Sequence, residues 1–166
     1  MSELEIVDFS LKGGRIVQCA KRGQVVIQLN RVTIYGYGRV KFPEREELRQ
    51  LRKERLKSQR AFSKSPQKQR RLDKLARKEE NQRKSQENLQ AIKSVGMSDS
   101  PEDIQTIIQH LLDVGTTVTA STAGRSMIRS HIEAPNGRLT VLTGWKIFDD
   151  GTIYMTTIHF IPPKRS

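Results

Sequence analysis

A single cysteine, Cys19, stands among the 166 residues, so no internal disulfide and no multi-cysteine zinc site can form. Cys19 itself reads as a small apolar filler. No stretch approaches the roughly 20 apolar residues that a membrane-spanning helix needs. The opening Met1-Ser2-Glu3-Leu4-Glu5 carries acid where an export signal needs base, so no conventional signal peptide is expected and the site of action is expected to be cytoplasmic. Aromatic residues make up only 5% of the chain, which argues against insertion into a membrane surface. Acids are also scarce: 18 Asp and Glu face 30 Lys and Arg, for a net charge of +12 and a pI near 10.2. That imbalance points to a polyanionic partner, with RNA or another nucleic acid ahead of an anionic membrane. No ligand spacing predicts a metal site, and no cofactor is expected.

The charge is not spread evenly. Residues 1–43 carry +4, residues 44–93 carry +9 and residues 94–166 carry −1. These boundaries coincide with changes in local pattern, and they divide the chain into a small β segment, a basic helical middle and a C-terminal α+β module. In the first segment the runs 15–20, 24–29 and 31–35 alternate apolar and polar residues between glycines, which predicts a small antiparallel meander. Tyr35 and Tyr37, with Arg31 and Arg39 nearby, are residue types that stack and clamp bases; packing at the edge of a small core is the competing role.

Pro43-Glu44-Arg45-Glu46-Glu47 opens a helix, because proline suits the first turn and acids complement its dipole. Leu48, Leu51 and Leu56 leave it an apolar line too thin for a buried helix. After a break at Ser63-Lys64-Ser65-Pro66, a second helix is predicted from about Gln67 to Ile92, solvent-bathed or ordered by its partner. The candidate phosphate contacts are Arg49, Arg52, Lys53, Arg55, Lys57, Arg60, Arg70, Arg71, Lys74, Arg77 and Lys78. A charged helical linker that binds nothing is the alternative.

From Ser94 onward the chain reads as a compact module. Ser98 to Asp103 starts a helix whose Ile104, Ile107, Ile108, Leu111, Leu112 and Val114 recur at helical spacing until Gly115. A polar loop over 116–124 leads to strands at about 126–134, 138–148 and 152–162, with Asn136-Gly137 and Asp150-Gly151 as hairpin turns. The result is a helix packed on a three-stranded or larger antiparallel sheet. Period-two alternation assigns Tyr154, Ile158 and Phe160 to the helix-covered face, with Met155 on the other. It gathers Arg129, His131, Lys146, Thr157 and His159 on the open face, while His110 sits at the core edge of the helix.

That set suits cleavage of RNA without a metal. One imidazole takes the proton of a 2′-hydroxyl that attacks the adjacent phosphate, and the other protonates the leaving oxygen. Arg129 and Lys146 would stabilise the charge that grows on phosphorus, and Thr157 would hydrogen-bond a phosphate oxygen. Exposed histidines that merely decorate a sheet are the plain alternative.

Residues from about 89 to 162 include Ser94-Val95-Gly96, Leu111-Leu112-Asp113-Val114, Ala134-Pro135-Asn136-Gly137-Arg138, the run 141–147 with Trp145, Asp150-Gly151 and Met155-Thr156-Thr157. In these the chain resembles a family of C-terminal domains of bacterial polymorphic toxins, within the ribonuclease fold group of barnase, EndoU, colicin-type tRNases and RelE. The matching features are Gly137-Arg138, Trp145 and Thr157. The resemblance implies a metal-independent endoribonuclease acting on tRNA or other structured RNA, with an immunity protein as neutralising partner. The other functional expectation is a non-enzymatic nucleic-acid-binding accessory protein whose basic helices contact phosphates.

Overall fold

The computed structural model describes residues 4–11, 13–121 and 127–163. Expectations that fall on Ser2, Glu3, Gly124 or Ser126 therefore lie outside the described residues. The fold is α+β. In chain order it runs β1 (Glu5–Ser10), β2 (Ile16–Arg22), β3 (Val25–Gln28), a wide helical turn (Arg31–Tyr35), α1 (Arg45–Lys57), α2 (Gln59–Ser63), α3 (Pro66–Ser94), α4 (Pro101–Gly115), β4 (Ile128–Ala134), β5 (Gly137–Ile147) and β6 (Ile153–Ile161).

All six strands form one sheet in the order β1-β2-β3-β6-β5-β4. Neighbours are antiparallel except β3 and β6, which join the N-terminal and C-terminal strands in parallel through Val25 with Ile153 and Val26 with Tyr154. The antiparallel sheet predicted for the C-terminal module is thus half of a larger mixed one. Strand β1 was not foreseen. The run 31–35, expected as a strand, instead coils into a turn in which the Gly36 N–H donates to the Arg31 carbonyl at 3.0 Å. Its β-branched residues lose to burial: Val32 is fully enclosed, and a Cβ at Gly36 would lie 2.6 Å from the Val32 carbonyl oxygen.

One face of the sheet holds the main core. Helix α4 starts where the Ser100 hydroxyl accepts from the Asp103 N–H, with Pro101 in its first turn and Glu102 and Asp103 complementing its dipole. It lays Ile107, Leu111 and Leu112 against Val25, Ile27, Val141, Trp145, Met155 and Ile158, all buried. The C-terminal half of α3 closes the same core with Ala91 and Ile92.

The N-terminal half of α3 folds back on α1 and α2. Ser58 caps α2 and Ser65 caps α3 through their hydroxyls. Phe42, Leu48, Phe62, Leu72 and Leu75 form a separate buried cluster between them. The expectation of solvent-bathed helices is therefore corrected. Leu48 alone is a thin stripe, but Phe42 and Phe62, from outside the regular heptad pattern, complete a core that the helical wheel does not show. Ion pairs zip the hairpin: Lys78 with Glu44 at 2.8 Å, Arg71 with Glu47 at 2.6 Å, Lys68 with Glu54 at 2.8 Å and Arg52 with Glu79 at 3.0 Å.

A second correction concerns the last strand. The β5–β6 register shifts between Gly144 and Trp145, where Gly144 faces Thr157 but Trp145 faces Met155. Thr156 is the extra residue, and it inverts the alternation. Met155 therefore enters the helix-covered core, while Tyr154 turns to the opposite face. There it clusters with Phe9 and Phe148, whose ring centroids lie 5.9 and 5.4 Å from its own and 6.2 Å from each other. In a flat sheet β1 and β6 would lie roughly 14 Å apart, so the N-terminal half curls strongly over this face. The turns differ in detail as well: Gly137 and Gly151 take positive φ, 141° and 89°, whereas Asn136 and Asp150 do not.

Candidate functional site

The register fixes where the expected catalytic residues stand. Arg129 lies opposite Leu142, which lies opposite His159; His131 lies opposite Thr140, which lies opposite Ile161. Arg129, His131 and His159 therefore share the face that α4 leaves open. The two histidines are two strands and two residues apart, roughly 12 Å between Cα atoms. Thr140 stands 3.3 Å from Nδ1 of His131. Thr157 follows two residues before His159 on the same face, and its hydroxyl meets the Met127 sulfur at 3.4 Å.

Lys146 does not join them. It lies beyond the bulge, roughly 13 Å along β5 from Leu142, where its ammonium sits over the Phe148 ring at 5.8 Å. The common surface expected of five residues thus reduces to Arg129, His131, Thr157 and His159. Alternation assigns a face but not a position along the strand, and it is the position that separates Lys146.

The remaining histidine is structural in geometry. His110 Nε2 lies 2.8 Å from the Ser130 hydroxyl, between α4 and β4. Burial lowers its pKa, and His131 adds to this, while Asp113 opposes it. As pH falls, the unfolded chain takes up this proton first, near pH 6.5. The contribution of His110 to stability is therefore full above that value and is lost below it as pH falls toward the depressed folded pKa. His110→Gln should flatten the dependence of the urea midpoint on pH between about 7.5 and 5.5. An unchanged slope would mean that the imidazole is equally hydrated in both states. Cys19 is fully buried, and burial pushes its thiol up to about 11, consistent with a filler. Tyr37 is buried too, its hydroxyl donating to the Ser98 carbonyl at 2.9 Å.

The eleven candidate phosphate contacts divide in two. Arg49, Arg52, Arg71 and Lys78 pair with Glu46, Glu79, Glu47 and Glu44 inside the hairpin. Lys53, Arg55, Lys57, Arg60, Arg70, Lys74 and Arg77 form no ion pair among the described residues. Three of these, Arg70, Lys74 and Arg77, are spaced i, i+4, i+7 and stand on one face of α3. Packing orients that face, because Leu72 and Leu75 are held against α1.

Asn81 and Lys84 continue the stripe at i+11 and i+14, and they enter a cleft of about 540 Å³. Its other walls come from the loop before β2, the end of β3, the wide turn and β6: Arg15, Gln28, Asn30, Arg31, Tyr35, Tyr154 and Thr157 all line it. Arg15, Arg31 and Lys84 form no ion pair among the described residues. Sequence reasoning noticed Arg31 and Tyr35 but placed them on a strand, and it did not connect them with Lys84. Only the wide turn, which puts positions i and i+4 on one side, brings them together. No family model matches the chain, and no curated protein matches it.

Proposed function

We propose that this is a nucleic-acid-binding protein that grips the phosphates of RNA with the outer face of its helical hairpin. The observation that carries this reading is the stripe Arg70, Lys74 and Arg77, without carboxylate partners among the described residues, on a helix whose orientation is set by its own core. A helix packed on every side would bury or pair such charges; here they are held outward in a row, at a spacing that can track a phosphate backbone. The net charge of +9 over residues 44–93 supplies the long-range attraction. Affinity for a single-stranded or hairpin RNA should fall steeply with salt. The triple variant Arg70→Ala, Lys74→Ala, Arg77→Ala should flatten the slope of log affinity against log salt by about 2 to 3. An identical slope would remove the hairpin from the binding surface.

A second reading is metal-independent RNA cleavage of the toxin type, with an immunity protein as partner and a cytoplasmic site of action. It is favoured by one observation, that Arg129, His131 and His159 share an uncovered face. On this reading one imidazole removes the 2′-hydroxyl proton, the other protonates the departing 5′ oxygen, and Arg129 stabilises the phosphorane between them. The protein should then cut RNA in EDTA, and His159→Ala should abolish cutting without altering the unfolding midpoint. Intact RNA after prolonged incubation with excess protein would leave the binding reading alone.

No helix among the described residues is long and apolar enough to cross a membrane.

A further inference from the structure

We infer that the cleft between the wide turn, α3 and β6 is a nucleotide-binding pocket, which takes one unit of a single-stranded RNA whose neighbouring phosphates lie along the α3 stripe. The inference deepens the RNA-binding reading and rests on it for the strand, though not for the pocket itself.

Three observations point to this ligand. The first is charge. Arg15, Arg31 and Lys84 converge on the cleft from three separate elements, and no carboxylate among the described residues lines it. The nearest acids felt by Tyr35, Glu80 and Glu87, are both engaged by Arg83. Three uncompensated cations around one concavity favour a doubly or singly charged phosphate over any neutral ligand.

The second is an unmet donor. Nε of Arg31 is buried and has no hydrogen-bond partner among the described residues. A buried, unsatisfied guanidinium N–H is costly, and a ligand that drew the Arg31 guanidinium out toward the cleft would let an acceptor oxygen relieve it. The third is the rest of the wall. Tyr35 offers a half-buried ring beside Arg31, and Asn30 and Asn81 offer amides, each with both a donor and an acceptor, while the Gln28 Oε1 already accepts from the Tyr154 hydroxyl at 3.1 Å. A phosphate alone needs neither ring nor amide. A nucleotide uses both, its base against the aromatic face and its polar edge on the amides. The volume, about 540 Å³, lies within the range of pockets that enclose a small ligand.

Geometry joins this pocket to the hairpin. From Arg70 to Lys84 the stripe rises roughly 21 Å along α3, room for several phosphates of an extended strand leading to the cleft. Because Asn81 and Lys84 belong to both, the strand would be delivered into the pocket without a change of helix face.

The test uses the full chain, two probes and two variants. The probes are adenosine 5′-monophosphate, too short to reach Arg70, and a twelve-nucleotide single-stranded RNA. The variants are Arg15→Ala/Lys84→Ala, both exposed side chains, and the stripe triple described above. Wild type should bind the mononucleotide saturably, and more tightly than inorganic phosphate. The cleft variant should lose mononucleotide binding and should bind the RNA at least about tenfold more weakly at low salt, with a slope lower by about 2. The stripe triple should keep mononucleotide binding. Arg31→Gln, which retains a donor but not the charge, should weaken the mononucleotide as well. The pocket is refuted if the mononucleotide does not bind, if inorganic phosphate binds equally well, or if the cleft variant binds it as wild type does. The stripe triple reports separately on the hairpin: its unchanged RNA affinity would overturn the hairpin reading and leave the pocket standing.

Discussion

Gly115→Ala should destabilise the protein by about 2 to 3 kcal/mol, although the same change inside most helices stabilises by about 1 kcal/mol. The sign reverses because α4 ends pressed against the sheet. A Cβ at this position would lie 2.3 Å from Cγ1 of Val25 and 3.0 Å from the Trp145 ring. Neither neighbour is free to yield. Val25 is β-branched, stiff at χ1 and 2% exposed. The Trp145 indole is anchored by its N–H donating to the Thr143 hydroxyl at 2.9 Å. The helix must therefore lift or the strand must bow, and contacts of Leu111 and Leu112 loosen with it. Thermal unfolding should show a midpoint lower by roughly 5 to 10 °C. Adding Val25→Ala should recover part of the loss, since it removes the atom struck, and a double-mutant cycle would register that coupling. A midpoint equal to or above wild type would show that α4 does not approach β3 so closely.

Asn88→Leu should cost about 2 to 4 kcal/mol, although leucine keeps the same branching at this fully buried position. Among the described residues β3 pairs with β6 only at Ile153 and Tyr154, so farther along no described strand flanks β6 on that side. The Phe160 N–H points into this gap, and the Asn88 carbonyl oxygen accepts it at 2.9 Å. The amide nitrogen of Asn88 donates to the Tyr35 carbonyl at 3.5 Å, tying the wide turn to the same helix. Leucine would leave a buried donor and a buried acceptor unmet in an apolar setting, where water cannot replace the lost partner. Hydrogen exchange at the Phe160 amide should quicken by more than exchange in β4. If exchange there stays as slow as in wild type, the side chain is not what closes this end of the sheet.

These two positions also show what a sequence conveys and what it does not. Helix α4 was legible because six apolar residues recur at one period, between a capping serine and a glycine. The strand hairpins of the C-terminal half were legible from their alternation and turns. The middle helices were located but misjudged, since Phe42 and Phe62, which complete their core, belong to no periodic run. The turn at 31–35 reads as a strand because valine, threonine, isoleucine and tyrosine favour one locally; the enclosure of Val32 is a tertiary fact. The bulge at Thr156 has no sequence signature, yet it decides whether Met155 or Tyr154 is core. Of the catalytic candidates, alternation alone located Arg129, His131 and His159 on one side, because no irregularity intervenes between their rows. Lys146 was carried away from them by position along β5 rather than by face. The cleft was invisible because Arg15, Arg31 and Lys84 are remote in sequence, and nothing local announces that they meet.

The parallel seam between β3 and β6 also constrains how the chain reaches its final form. Val25, Val26 and Ile27 leave the ribosome long before the strand that will cover their outer edge, with four helices and two strands made in between. Until then the nascent chain carries an apolar border open to other chains, and loop closure across everything between must come before the sheet is whole. Slow maturation, with aggregation as its competitor, is the kinetic signature this topology imposes.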